Sequence, residues 1–104
     1  MVNPDLAKIT TVLRDAAHPC RIILFGSHAR GEAGADSDLD FLVVEPTVTN
    51  RVDEMVRLRR LLSAMRIPVD VLVVSEQVFR EQAGIPGNYL HAAATEGRVL
   101  FESA

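Results

Sequence analysis

Three aspartates and a Gly-Ser pair are the residues of this chain whose types and spacing could do chemistry. Asp38 and Asp40 close the stretch GSHARGEAGADSDLD, residues 26–40, and Asp40 runs directly into the apolar FLVV. Strand side chains alternate faces, so Asp38, Asp40, Leu42 and Val44 are predicted on one side and Leu39, Phe41 and Val43 on the other. Two ionised carboxylates about 4 Å apart repel by roughly 4 kcal/mol at an effective dielectric near 20. The nearest basic residue in the sequence is Arg30, so nothing local offsets that repulsion. Two arrangements relieve it: a wet sheet edge, with DSD no more than a solvated turn, or a divalent cation held by the pair.

Asp70 stands inside IPVDVLVV, flanked by Val69 and Val71. Such a carboxylate is costly unless it is paired, metal-bound, or partly exposed at the start of its strand. If the strands carrying Asp40 and Asp70 are neighbours, the three aspartates form one cluster. Oxygen donors of this kind suit Mg2+ or Mn2+, hard ions that also bind substrate phosphates. Closely spaced histidine pairs are missing and there is one cysteine, which argues against zinc. Gly26-Ser27 complements the acidic cluster. A glycine ending a strand lets backbone approach a ligand closely, and Ser27 can cap a short helix whose free N–H groups attract an anion. Alone, this is an ordinary turn; beside an acidic cluster it makes a site for a nucleoside triphosphate, whose chemistry is in-line displacement at phosphorus.

The elements that must position these residues follow from periodicity and caps. Asn3-Pro4 reads as a helix start, with an apolar stripe at Leu6, Ile9, Leu13 and Ala16 and an end near His18-Pro19. RIILF is a buried strand that halts at Gly26, followed by at most a helical turn around Ser27–Arg30. A second strand is predicted from Leu39 to Val44. A helix then runs from an Asn50 cap, with Asp53 three residues on, to about Met65, burying Met55, Leu58, Leu62 and Met65. Val69–Val74 is a third strand, Ser75 caps a short helix to Gln82, AGIPGN is a loop, Asn88–Glu96 a final helix, and RVLF a short last strand. The order predicts an α/β (α+β) fold: a small mixed β-sheet with helices packed on it.

Composition bounds the function. The 104 residues are expected to form a single domain, 1–104; 48% are apolar and 24% charged, as in a globular domain. The net charge of −3 argues against direct nucleic-acid binding through a general basic field. No apolar run exceeds four residues, so no membrane span and no signal peptide is expected. The lone Cys20 fits a reducing compartment, and a cytoplasmic location is predicted. Arg51, Arg57, Arg59, Arg60 and Arg66 are placed on one helix and read first as a solvated face, with a partner-binding surface as the alternative. His18, His28 and His91 have no identifiable partner and read as surface or packing residues, and Tyr89 reads as a packed residue.

The stretch Gly26-Ser27, ten residues, then Asp38-x-Asp40 resembles the signature of the nucleotidyltransferase superfamily. The wider form Gly-Ser-x-Ala-Arg-Gly ending in Ser-Asp-x-Asp, the short chain, Asp70 and the terminal TEGRVLFE are similar to the minimal nucleotidyltransferase (MNT) group of the DNA polymerase beta-like superfamily. The resemblance implies that Gly26 and Ser27 bind the triphosphate of ATP, with Arg30 on phosphate. It implies that Asp38 and Asp40 hold two Mg2+ ions, Mn2+ being an alternative, and that Asp70 is the third carboxylate, binding one metal and helping the acceptor hydroxyl lose its proton. It further implies a protein partner, a HEPN-type ribonuclease toxin, to whose tyrosine this antitoxin would transfer AMP. Two other readings stay open at this level: transfer to a small molecule or RNA end, and neutralisation of the partner by binding alone.

Overall fold

The computed structural model describes residues 6–25, 39–66 and 69–103. Asn3 and Pro4, and the predicted turn over 27–30, lie outside the described residues. Helix α1 spans Leu6–Ala17 and buries Ile9, Leu13 and Ala17, a stripe at steps of four, with Leu6 and Ala16 half-buried beside it. It ends where Pro19 requires it to. His18, the residue before the proline, takes a left-handed φ of 47° while its N–H still donates to Arg14 O at 3.0 Å, closing the last turn.

Strands β1 (Arg21–Phe25) and β2 (Leu39–Glu45) pair antiparallel, with Ile23 opposite Leu42 and Phe25 opposite Asp40. Helix α2 covers Arg51–Ser63. Asn50 is its N-cap, the side-chain oxygen accepting from Asp53 N at 3.0 Å. The helix stops two residues short of the predicted Met65, because Ala64 to Arg66 form a turn and Arg66 takes a φ of 56°. Accordingly Leu58 and Leu62 are fully buried, whereas Met55 and Met65 are only half-buried.

Strand β3 (Val69–Ser75) runs parallel to β2, the β2–α2–β3 segment supplying the crossover that a parallel pair needs. Ser75 caps α3 (Glu76–Gln82) by accepting from Val78 N, and Asn88 caps α4 (Tyr89–Glu96) by accepting from Leu90 N. Strand β4 (Arg98–Glu102) returns antiparallel to β1. The sheet order is β3-β2-β1-β4, a mixed sheet as expected, with β3 at one edge.

Alternation along the strands sends side chains into two apolar layers. Phe41, Val43, Val71 and Val73 pack with Ile22 and Leu24 under α1 and α2. Leu42, Val44 and Val74 pack with Ile23 under Phe79 of α3 and Leu90 and Ala93 of α4. Asp40 therefore shares its face with Leu42 and Val44, as the period of two predicted. Its placement at the strand's beginning, before the sealed apolar run, keeps it half-buried rather than enclosed.

Candidate functional site

Two of the three sequence-predicted carboxylates meet at the start of the parallel pair. In the β2–β3 register Asp40 is the direct partner of Asp70. Paired residues on neighbouring parallel strands lie about 5 Å apart and point to the same side. Phe25, the residue before Gly26 in the chain, is the register partner of Asp40 across β1 and β2. The entrances of β2 and β3 and the exit of β1 thus occupy one end of the sheet. Asp38, Gly26, Ser27 and Arg30 lie outside the described residues.

Asp70 is solvent-accessible, its side chain 46% exposed, as the strand-start reading anticipated. It is also paired. Arg59 of α2 donates from Nη2 to Asp70 Oδ1 at 2.5 Å and to the Val71 carbonyl at 3.2 Å. Arg59 thus brings to Asp70 a positive charge that the local sequence did not reveal. Among the described residues no group of three metal-ligating side chains assembles. The Asp40–Asp70 pair nevertheless fits a hard divalent cation: two carboxylates, side by side, with no sulfur or imidazole in the set.

The helix arginines are not simply a solvated face. Arg51 donates from Nε to Val73 O at 2.7 Å and from Nη2 to the Tyr89 hydroxyl at 3.1 Å. Arg57 grips the Glu54 carboxylate through Nε and Nη2 and reaches Ala16 O of α1. Together with Arg59, three of the five make defined tertiary contacts, and Arg66 lies beyond the helix end. Tyr89 is not a packed residue: it is 42% exposed, its hydroxyl facing Arg51. His91 does have a partner, its Nδ1 lying 2.7 Å from Ala83 O. The signal that could have found Arg59 is connectivity. α2 leads straight into β3, so an arginine in its later turns lies within side-chain reach of that strand's first residues.

A second charged cluster sits at the other end of β2, five residues or roughly 17 Å from Asp40. Glu45 is 7% exposed and its Oε2 has no hydrogen-bond partner. Burial, then the hydrogen bond to Glu54 and that neighbour's charge, push its carboxyl up to about 8. Glu54 moves the other way, held below its ordinary range by Arg57. The pair lines a cavity of about 290 Å3 with Asn50, Asp53 and Thr49. The sequence reading missed it, having no way to see that the last residue of β2 would be enclosed.

Comparison with known proteins extends this geometry. The model of the nucleotidyltransferase domain family matches residues 6–96. A Methanocaldococcus jannaschii protein, described as a candidate protein adenylyltransferase, is 33% identical over 81 residues, which is 78% of this chain and 77% of its own length. Among solved structures, a toxin-antitoxin with AMP-PNP matches with a TM-score of 0.68 at 25% identity, over 96% of this chain and 75% of that one. A candidate minimal nucleotidyltransferase matches with a TM-score of 0.56 at 32% identity, over 88% of both chains.

Proposed function

The chain belongs to the nucleotidyltransferase domain family, and on that premise we propose that it is an antitoxin that transfers AMP from ATP to a tyrosine of a HEPN-type toxin. The observation that carries the reading is the register of Asp40 with Asp70, two carboxylates on one face at one sheet end, next to the strand that leads into Gly26-Ser27. The likeness to a candidate protein adenylyltransferase favours a protein hydroxyl as acceptor. The likeness to a toxin-antitoxin with AMP-PNP favours ATP as donor and a toxin as partner.

In this reading Gly26 and Ser27 hold the triphosphate, and Arg30 contacts it. Asp38, Asp40 and Asp70 hold divalent cations, Mg2+ or Mn2+. When bound, those cations neutralise phosphate charge and stabilise the attacking and leaving oxygens. Asp70 accepts the proton of the tyrosine hydroxyl as the tyrosine oxygen bonds to the α-phosphorus. The bond from that phosphorus to the bridging oxygen breaks, and pyrophosphate leaves with the electron pair. Among the described residues no helix is long and apolar enough to cross a bilayer. A cytoplasmic setting, where ATP and Mg2+ are supplied, is part of the proposal.

The test is direct. Incubated with ATP, Mg2+ and the cognate toxin, the protein should add about 329 Da per transferred AMP to the toxin, the mass expected for metal-assisted nucleotidyl transfer. Chelator, Asp38→Asn or Asp40→Asn should abolish the adduct. Intact-mass spectra without any adduct on the toxin would refute the proposal.

A further inference from the structure

Arg59 brings a cation to a carboxylate of the proposed site. Its Nη2 spans Asp70 Oδ1 and the Val71 carbonyl, at 2.5 and 3.2 Å. Both acceptors belong to β3, which among the described strands is the edge of the sheet. The guanidinium is therefore held by two groups at once, not by the ion pair alone. Eight residues earlier on the same helix, Arg51 is held in the same manner by Val73 O, two residues further along the edge. The pair ties α2 to the margin of β3 and sets where the head of Arg59 can lie.

With Oδ1 occupied, Oδ2 is the Asp70 oxygen left for a cation or for the acceptor proton. A planar guanidinium fixes a carboxylate by direction as well as by charge, which a lysine ammonium does not. The same positive charge opposes a divalent ion arriving beside Asp40 and Asp70. We propose that Arg59 is a positioning residue that orients Asp70 through Oδ1 and keeps the carboxylate pair partly neutralised until a cation binds. The inference rests on the reading of Asp40 and Asp70 as the cation-holding pair, not on the identity of the acceptor.

Its consequences for binding and turnover have opposite signs. Removing Arg59 removes the competitor and leaves Asp70 unoriented. Arg59→Gln should tighten Mn2+ binding to the nucleotide-free protein, read by the paramagnetic resonance of free Mn2+. The gain should be about three- to tenfold, the modest range expected for exposed, screened charges. In an Asp70→Asn background the same substitution should change Mn2+ affinity less than about twofold, because the coupling is gone. In the transfer assay, Arg59→Gln should lower kcat about tenfold or more with the ATP KM within about twofold, since orientation acts at the chemical step. Arg59→Lys should restore the wild-type Mn2+ affinity but only part of kcat; it also serves if Arg59→Gln melts early.

Unchanged or weaker Mn2+ binding by Arg59→Gln overturns the proposal, as does an equal gain without Asp70. Wild-type protein that binds no Mn2+ overturns it together with the cation-site reading. Mn2+ coupling seen alongside an unmodified toxin supports the inference while refuting the proposed acceptor.

Discussion

Glu45→Gln isolates the buried carboxyl at the end of β2. In the folded protein the carboxyl titrates near 8, whereas its ordinary value is 4.5. Between those values the folded chain binds a proton that the unfolded chain has released. Stability therefore falls as pH rises through that window, by up to about 1.4 kcal/mol per pH unit, and levels off above it. Over the roughly 3.5 units from 4.5 to about 8 the ceiling is about 5 kcal/mol. Relaxation around the ionised group and the neighbouring Arg57 keep the realised loss below that. Glu54 acts in a different window: its lowered value contributes stability above the ordinary carboxylate range and loses it as pH falls below.

Glutamine keeps the size of the side chain and an N–H to donate to Glu54, but cannot ionise. Urea denaturation of wild type and Glu45→Gln at pH 5, 6, 7 and 8 is the assay. The two should be closest at pH 5. The variant should then gain on the wild type by up to about 1.4 kcal/mol per unit. Taking the difference removes every titration that the two proteins share. Parallel stability curves across pH 5–8 would show that Glu45 is ionised in the folded state and would refute the reasoning.

Three further outcomes follow from the same contacts. Gly97→Ala places a Cβ 2.2 Å from Ala93 O and 2.5 Å from Ile23 Cγ2 at the junction of α4 and β4, so the backbone must move; the urea midpoint should fall by the equivalent of about 1–3 kcal/mol. Ser75→Ala removes the oxygen that accepts from Val78 N at 3.2 Å and should cost about 1 kcal/mol, measured by thermal melting. Asp40→Asn removes the charge of one of the two carboxylates that stand in register on β2 and β3. The same variant should lose about a hundredfold or more of AMP transfer by the intact-mass assay, since metal-held charge stabilisation is worth several kcal/mol.

Much of the scaffold was legible in the chain because the information is local. The caps at Asn50 and Ser75 act on N–H groups three residues away. The alternation that puts Asp40 with Leu42 and Val44 is a property of any strand. Pro19 ended α1 through its immediate neighbour. Asp40 and Asp70 could be singled out for the same reason, since a carboxylate against an apolar run is anomalous wherever it occurs. Where Asp40 and Asp70 would stand relative to each other was not local. It required β2 and β3 to be parallel neighbours in one register, an outcome of packing α1 and α2 on one face and α3 and α4 on the other. The long side chains were least legible. Arg51, Arg57 and Arg59 carry the charge pattern of a solvated helix face. Their flexible stems let them reach carbonyls of β3 and α1, and a carboxylate of β3, up to forty-one positions away in sequence. Glu45, one residue past the predicted strand end, is buried only because neighbours distant in sequence cover it. Residue type and period determined which groups could act; only the close approach of distant segments, where desolvation and charge are set by neighbours in space, decided which of them are paired, buried or left to bind.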